Sequence, residues 1–161
     1  MPEILNPLHQ IEFFHGIAKK HLERVAMISK VAEFPAQHDI FHENEFGRDI
    51  YFVISGRVSL AVCTPHAGCR QLMEVGPGDL IGWSPLVGRP LLSDTARTLT
   101  PTTVITIDGQ KILKLCAEDP EFGFDFMHRV AKTLSTRMSA IRLQLLQLGG
   151  PQLPRIQIES D

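Results

Sequence analysis

The chain has 161 residues, of which 43% are hydrophobic and 21% are charged, and its formal net charge is −2. This length suits one ordinary domain that closes its core without metals or disulfides, and the near-average composition excludes a disordered or fibrous protein. The near-neutral charge gives no electrostatic reason to expect nucleic acid as a partner. Since the sequence has no signal-peptide pattern and no stretch near 18 consecutive apolar residues, we expect a soluble cytoplasmic protein with no membrane contact.

The three cysteines are Cys63, Cys69 and Cys116, an odd number without a CxxC pair. This pattern fits a reducing compartment better than a disulfide framework. Cys63 and Cys69 flank a predicted hairpin tip, where they are able to approach each other. We interpret the cysteines as buried or incidental thiols, with a redox or metal role as the alternative, because the usual metal-ligand spacings are absent.

Residues 1–30 are predicted to form an N-terminal helical segment. Their apolar side chains recur at helical spacing, which indicates a helix that packs one face against a core. The stripe consists of Ile17, Ala18, Leu22, Val25, Ala26 and Ile28.

Residues 31–109 have the pattern of a β-barrel core. Short β-rich runs alternate with turns rich in glycine and proline, which is typical of a barrel or jelly roll. In the clearest run, Val58, Leu60 and Val62 alternate with smaller or polar residues, as expected for a strand with one buried face. Gly56 precedes this run, and we expect a positive φ or a close backbone approach there.

Residues 110–148 are predicted to form C-terminal helices, followed by a tail at 149–161. A short helix over 110–116 comes first. Asp119 is a suitable cap for the next helix, and Pro120 fits its first position, where the missing N–H costs nothing. This long helix runs to Leu148 and ends at Gly149-Gly150-Pro151.

The long helix carries two kinds of apolar surface. Phe122, Phe124 and Phe126 supply a broad stripe suited to packing on the chain's own core. Beyond about residue 130 the apolar positions narrow to an a/d seam with polar flanks, which favours a two-stranded coiled coil and therefore a homodimer. The dimer seam comprises Met127, Ala131, Leu134, Met138, Ile141, Leu145 and Leu148.

This order of elements resembles the cyclic nucleotide-binding domains of the catabolite-activator (Crp/Fnr-like) superfamily, and three motifs carry the resemblance. Ile50-Tyr51-Phe52-Val53-Ile54-Ser55-Gly56-Arg57-Val58-Ser59-Leu60 resembles the strand, Ser-Gly turn and strand signature of the family. Gly76-Pro77-Gly78-Asp79-Leu80-Ile81-Gly82 resembles the segment that leads into the phosphate-binding cassette, and Leu99-Thr100-Pro101-Thr102-Thr103-Val104 matches the strand that leaves it.

The resemblance covers about residues 12 to 148. It implies a mainly β fold with flanking helices, namely an antiparallel β-barrel or jelly roll (a double-stranded β-helix). N-terminal helices would precede this sensor core, and a long C-terminal dimerisation helix would follow it.

The resemblance also implies a ligand-binding cassette. In the family, cassette N–H groups receive a cyclic phosphate, an Arg pairs with that phosphate, and a Glu accepts the ribose 2′-hydroxyl. Here Trp83 takes the position of the Glu and Leu92 that of the Arg. Each lost charge-assisted contact costs about 1.5–3 kcal/mol, so we expect weak binding of cyclic AMP or cyclic GMP. The candidate ligand-binding residues are Gly82, Trp83, Ser84, Pro85, Leu86, Arg89, Leu92, Ser93, Asp94 and Thr95.

Several of these residues have two interpretations. Arg89 either reaches inward to replace the missing guanidinium or is solvated in its Gly-Arg-Pro turn. Trp83 either lines an altered, more apolar pocket or fills the space that a ligand occupies in other family members. Gly82, Ser84 and Ser93 retain the small and hydroxyl-bearing character of a cassette, which favours the pocket.

Charged residues near the cassette complete this set. Asp94 places a carboxylate where it would repel a phosphate, and Arg97 is interpreted as a surface residue. On the long helix, Arg137 and Met138 align with family positions that contact the bound base across the dimer, although Met138 is also a seam residue.

Transcription factors of the family carry a helix-turn-helix domain after this helix. Only eleven residues follow Gly150 here, so we expect no DNA binding by this chain alone.

The leading hypothesis is a regulatory sensor module that binds a small-molecule effector and signals through its dimer helix to a downstream protein. It predicts no enzyme activity and requires no metal or cofactor. One alternative is a ligand-free dimerisation or docking scaffold. A second is a cupin-type metal enzyme, because Pro77-Gly78-Asp79 resembles a cupin turn. However, His38 and His42 would lie about 13 Å apart along a strand, too far to chelate one ion.

Overall fold

A computed structural model of the protein describes residues 2–158. The helices are α1 (Pro2–Gln10), α2 (Lys19–Met27), α3 (Gly109–Glu118) and α4 (Pro120–Gly149), and 3₁₀ turns lie at Glu12–Phe14, Ser84–Val87 and Gly150–Gln152. The strands are β1 (Ser29–Phe34), β2 (Asp39–Phe41), β3 (Asp49–Ser55), β4 (Val58–Thr64), β5 (Gly68–Val75), β6 (Leu80–Ile81), β7 (Thr95–Thr98) and β8 (Thr102–Asp108). Within residues 2–158, none of the helices has the length and apolar character needed to cross a bilayer.

The strands form two four-stranded antiparallel sheets. One sheet has the order β1-β8-β3-β6, and the other has the order β2-β7-β4-β5. Most sheet neighbours are distant in sequence, as in a jelly roll. Among the described strands no ladder joins the two sheets. The predicted mainly β jelly roll with flanking helices is therefore confirmed, as two sheets rather than a closed barrel.

An apolar core lies between the two sheets, and both sheets contribute to it. Burying one such side chain contributes about 1.5–3 kcal/mol, so this cluster is the main source of stability for the jelly roll. Its buried members are Phe41, Val53, Val58, Leu60, Val75, Ile81, Leu92, Ala96 and Val104.

Strand β3 is buried on both of its faces. Val53 belongs to the core between the sheets, and Tyr51 packs against that core. Phe52 lies on the other face, where its ring centroid is 4.9 Å from that of Phe13 and 4.8 Å from that of Phe14. A strand with two buried faces needs few polar residues, which explains the almost continuous apolar run in the sequence.

The predicted cap at the start of α4 is confirmed. Phe122 donates its backbone N–H to Asp119 Oδ1 at 3.3 Å. The other carboxylate oxygen of Asp119 lies 2.8 Å from Nε2 of His21, a buried residue of α2. The predicted reversal at Gly56 is also confirmed, because its φ is +100°.

Three local predictions need correction. Residues 1–30 are not helical throughout, because β1 already begins at Ser29. The segment 99–101 lies outside the strands, and the predicted strand begins only at Thr102, since Pro101 has no N–H to continue a ladder. Phe124 is 75% exposed although it was placed in a core-facing stripe. Residues two positions apart on a helix do not face the same side.

The prediction of three incidental thiols is wrong for two cysteines. Cys63 and Cys69 form a disulfide at the end of the β4–β5 hairpin. The reason is register: the antiparallel ladder pairs these two residues directly, and their Cα atoms lie 3.9 Å apart. Cys116 of α3 is a half-buried free thiol, and burial raises its pKa to about 11, so it is poorly reactive at neutral pH.

The chain divides into two compact units, Met1–Phe126 and Met127–Asp161. The second unit contains the predicted seam. Met138 is 61% exposed, Leu145 54% and Leu148 79%. Leu143 and Leu146 are also exposed and lie off the a/d seam, so the end of α4 is more apolar than a narrow seam requires.

Candidate ligand site

The cassette begins with a short turn after β6. Gly82 adopts a left-handed φ of +69°, and the 3₁₀ turn Ser84–Val87 follows. This turn offers few donors to an anion. Pro85 has no N–H, and Leu86 donates its N–H to the carbonyl oxygen of Trp83 at 2.9 Å. Neither residue therefore contributes a free N–H group to the predicted phosphate cradle.

Aromatic rings fill the space beside Gly82. A Cβ atom on this glycine would lie 3.0 Å from the Tyr51 ring and 3.2 Å from the Phe41 ring. These two rings stack on each other with their centroids 5.5 Å apart. Burial raises the pKa of the Tyr51 phenol, and the nearby Asp49 carboxylate adds to the effect. Tyr51 is therefore neutral at physiological pH and does not supply a charge.

Leu92 is the residue that we predicted to replace the family's phosphate-binding arginine. Its side chain is only 5% exposed and belongs to the core between the sheets. An apolar side chain integrated into that core cannot pair with a phosphate. The predicted loss of this charge-assisted contact therefore has a structural counterpart, namely a buried apolar side chain at position 92.

A pocket of about 370 Å³ lies at the exit of the cassette. Three of its lining residues carry polar side chains: Asn44, Arg89 and Ser93. Their chemistry suits a small organic anion, since a guanidinium and a hydroxyl both stabilise negative charge. The remaining lining residues are Gly88, Pro90, Leu91 and Leu92.

The structure thus brings together only some of the predicted cassette residues. Arg89, Leu92 and Ser93 line one pocket, whereas Gly82 to Leu86 do not contribute to it. Trp83 is half-buried at the start of the 3₁₀ turn. Asp94 is half-buried as well and does not line the pocket.

One wall of this pocket comes from Asn44, which is not among the ligand-binding residues predicted from the sequence. Asn44 donates its N–H to Leu92 O at 2.8 Å, and Leu92 N–H donates to Glu45 O at 2.8 Å. Asn44 has a φ of +66°, a conformation that asparagine tolerates better than most residues. The Asn in the Asn44-Glu45-Phe46-Gly47 turn is the signal that could have identified this wall.

Thr95 and Arg97 have structural roles at the edge of the site. Thr95 Oγ1 accepts a hydrogen bond from the Glu43 N–H at 3.1 Å. Arg97 is exposed and donates through Nε to Asp39 at 2.7 Å, which agrees with its interpretation as a surface residue. This hydrogen bond is the main reason that the pKa of Asp39 lies below its usual value.

The cupin alternative finds no support in the donor geometry of the described residues. Among residues 2–158 no group of three or more His, Cys, Asp or Glu side chains is arranged to hold a metal. His42 instead contacts Asp39 at 2.9 Å and Glu45 at 3.1 Å. These are exposed surface contacts.

The two helix residues aligned with base-contacting positions both lie on α4. Arg137 is half-buried and Met138 is exposed. A ligand contact by either residue stays a prediction.

Comparison with known proteins identifies the family. The model of the cyclic nucleotide-binding domain matches residues 31–119, more than half of the chain. The chain is 24% identical over 121 residues to a CRP-like cAMP-activated global transcriptional regulator of Mycobacterium tuberculosis, covering 75% of this chain and 54% of the regulator. It is 26% identical over 132 residues to the cyclic AMP receptor protein of Thermus thermophilus, covering 82% and 59%. The chain thus spans only about half the length of these curated relatives.

A solved structure supports the fold. A cyclic nucleotide-binding domain from Methylobacillus flagellatus superposes with a TM-score of 0.79 at 19% identity, covering 98% of this chain and 86% of that one. Fold, motif order and family match agree with one another. The chain belongs to the cyclic nucleotide-binding domain family.

Proposed function

We propose that this chain is a regulatory module that binds a small effector in the pocket lined by Arg89 and Ser93, and signals by pairing α4 with a second copy. One observation carries the proposal. The pocket at the cassette exit places a guanidinium, a hydroxyl and the Asn44 amide beside the apolar Leu91 and Leu92. A few polar groups on an otherwise apolar wall are typical of small-molecule sites.

The proposed effector is a small organic molecule with one anionic group and an apolar body. Arg89 and Ser93 would hold the anion, and the leucines would cover the body. Cyclic AMP and cyclic GMP fit this site poorly for two reasons. Leu92, which we predicted to replace the family's arginine, is part of the core, and Pro85 and Leu86 offer no free N–H group to a phosphate.

The exposed seam of α4 supports the proposed output. Met138, Ile141, Leu145 and Leu148 are each more than 40% exposed in the single chain. A large contiguous apolar surface on a helix is unfavourable in water unless another surface covers it. The a/d spacing matches a second copy of the same helix, which makes a homodimer the proposed occupant.

The compartment and the downstream partner are part of the same proposal. We place the protein in the cytoplasm and assign its output to a separate protein that responds to the dimer. The relative from Mycobacterium tuberculosis is named a global transcriptional regulator, and the proposal for this chain does not include that activity.

A ligand-free scaffold is the second candidate, and the filled space beside Gly82 favours it. Tyr51 and Phe41 occupy the region next to this glycine. If the pocket at Arg89 binds nothing, the chain would act only as a dimerisation or docking unit.

Thermal-shift titration distinguishes the two candidates. The panel contains cyclic AMP, cyclic GMP, small carboxylates and organic monophosphates. A ligand at 100 times its Kd stabilises by about 2.7 kcal/mol, which corresponds to a rise in Tm of roughly 5–10 °C for this size. We expect such a rise with an anionic panel member, its loss in Arg89→Ala, and its retention in the control Arg70→Ala. A panel without any stabilising member would favour the scaffold, and an unchanged response in Arg89→Ala would place the effector elsewhere.

A further inference from the structure

The disulfide between Cys63 and Cys69 lies at an exposed end of the jelly roll. Both residues are exposed, and the turn 65–67 connects them. The β4–β5 ladder runs from the Val58–Val75 pair to the Thr64–Gly68 pair, so most of the hairpin is held by the ladder. The disulfide therefore constrains only the outer end of the hairpin.

A short chain of hydrogen bonds connects this end to the effector pocket. The Cys63 N–H donates to Glu43 Oε1 at 2.7 Å. The Glu43 N–H donates to Thr95 Oγ1 at 3.1 Å. The next residue, Asn44, lines the pocket and donates its N–H to Leu92 O at 2.8 Å. Glu43 thus links the disulfide-bonded end of the hairpin both to β7 and to the pocket wall.

We propose that Cys63–Cys69 is a reversible thiol–disulfide site whose oxidation state controls the order of the pocket wall at Asn44 and Leu92. The reactant is a dithiol reductant. One of its thiolates attacks the exposed disulfide, which forms a mixed disulfide and releases the other cysteine as a thiolate. The second thiol of the reductant then displaces the remaining cysteine. Two electrons and two protons pass to Cys63 and Cys69, and the reductant leaves as a disulfide.

Reduction removes the covalent constraint on the hairpin end. The hydrogen bond from the Cys63 N–H to Glu43 is thereby weakened. Since Glu43 and Asn44 are adjacent, loosening of the Glu43 side chain reaches the backbone that pairs with Leu92. The physiological importance of the site rests on the cytoplasmic location proposed above, because disulfides in that compartment are usually transient and redox-sensing. The chemistry itself does not depend on an effector.

Hydrogen exchange on the oxidised and dithiothreitol-treated protein tests the proposal without any ligand. Reduction should release two thiols and accelerate exchange of the Asn44 and Leu92 amides about tenfold, with no change at β1 or β8. Cys63→Ser/Cys69→Ser should exchange as fast as reduced protein and not respond to dithiothreitol. Cys116→Ser is the matched control and should respond like the wild type.

Variants of Glu43 test whether the disulfide is coupled to the pocket wall at Asn44. Glu43→Ala should show fast exchange at Asn44 in both oxidation states, whereas Glu43→Gln keeps an acceptor oxygen and should preserve the redox response. The proposal is overturned if dithiothreitol releases no thiols from the native protein. It is equally overturned if reduction accelerates exchange only within residues 61–71. Neither result bears on effector binding, so this test is separate from that of the proposed function.

Discussion

Leucines occur in two contrasting settings in this protein. Leu92 in the cassette is 5% exposed and lies within the core, whereas Leu145 on α4 is 54% exposed. The first gains its burial free energy inside one chain. The second gains it only against another surface. The contrast separates the proposed input region, where Leu92 is part of the core, from the proposed output helix, which presents apolar surface.

The largest expected effect comes from restoring the family's charge in the first region. Leu92→Arg buries a guanidinium without a counter-charge, and such burial destabilises by about 3–5 kcal/mol. Urea unfolding measures the change. The adjacent Leu91→Arg is the control, since Leu91 is 42% exposed and its variant should lose little stability. Equal stability of the two variants would show that the cassette still accommodates an arginine at position 92.

A smaller effect is expected in the second region. Leu145→Asp places a charge in the proposed seam of both copies and should weaken dimerisation by about 2–4 kcal/mol, or at least 30-fold in Kd. Leu143→Asp is a closely matched control, because Leu143 is 59% exposed but lies off the seam. Sedimentation equilibrium should show monomers only for Leu145→Asp. If both variants dissociate equally, the seam register is wrong.

The smallest effect concerns Asp119, at the junction that precedes α4. The hydrogen bond from the Phe122 N–H is the main reason that the pKa of this carboxyl lies below its usual value. Burial acts in the opposite direction, and the hydrogen bond with the His21 side chain lowers the pKa further. A carboxyl with a depressed folded pKa stabilises the protein above its unfolded pKa, and this stabilisation is lost as the pH falls through the folded pKa.

Asp119→Asn should therefore lower the free energy of unfolding near neutral pH, and its difference from wild type should shrink below about pH 4. Glu121→Gln controls for the loss of a carboxylate in the first turn of the same helix. A constant difference between Asp119→Asn and wild type from neutral to acid pH would contradict the assigned role.

The sequence was sufficient to predict elements whose signals are local. The alternation around Val58 predicted a strand, and Asp119 with Pro120 predicted the start of α4, because caps and periodicity depend on neighbouring residues. The resemblance to the family then supplied the jelly-roll architecture with its flanking helices, which local patterns do not contain.

Features that depend on register or tertiary packing were not predictable in the same way. The Cys63–Cys69 bond follows from a ladder register that spacing alone does not fix. The role of Asn44 follows from a loop that pairs with Leu92 across 48 positions of sequence. The substitution at position 92 was visible in the sequence, but only the structure shows that Leu92 has joined the core.

Calorimetric titration of the wild-type protein with cyclic AMP tests the central claim most directly, namely that the cassette has changed while the fold has not. The two charge-assisted contacts that we predict to be lost would weaken binding by roughly 10²- to 10⁴-fold. The account predicts no saturable heat up to about 1 mM cyclic AMP. Saturable binding with a Kd in the micromolar range would contradict it and would show that the cassette still holds a cyclic phosphate without the arginine.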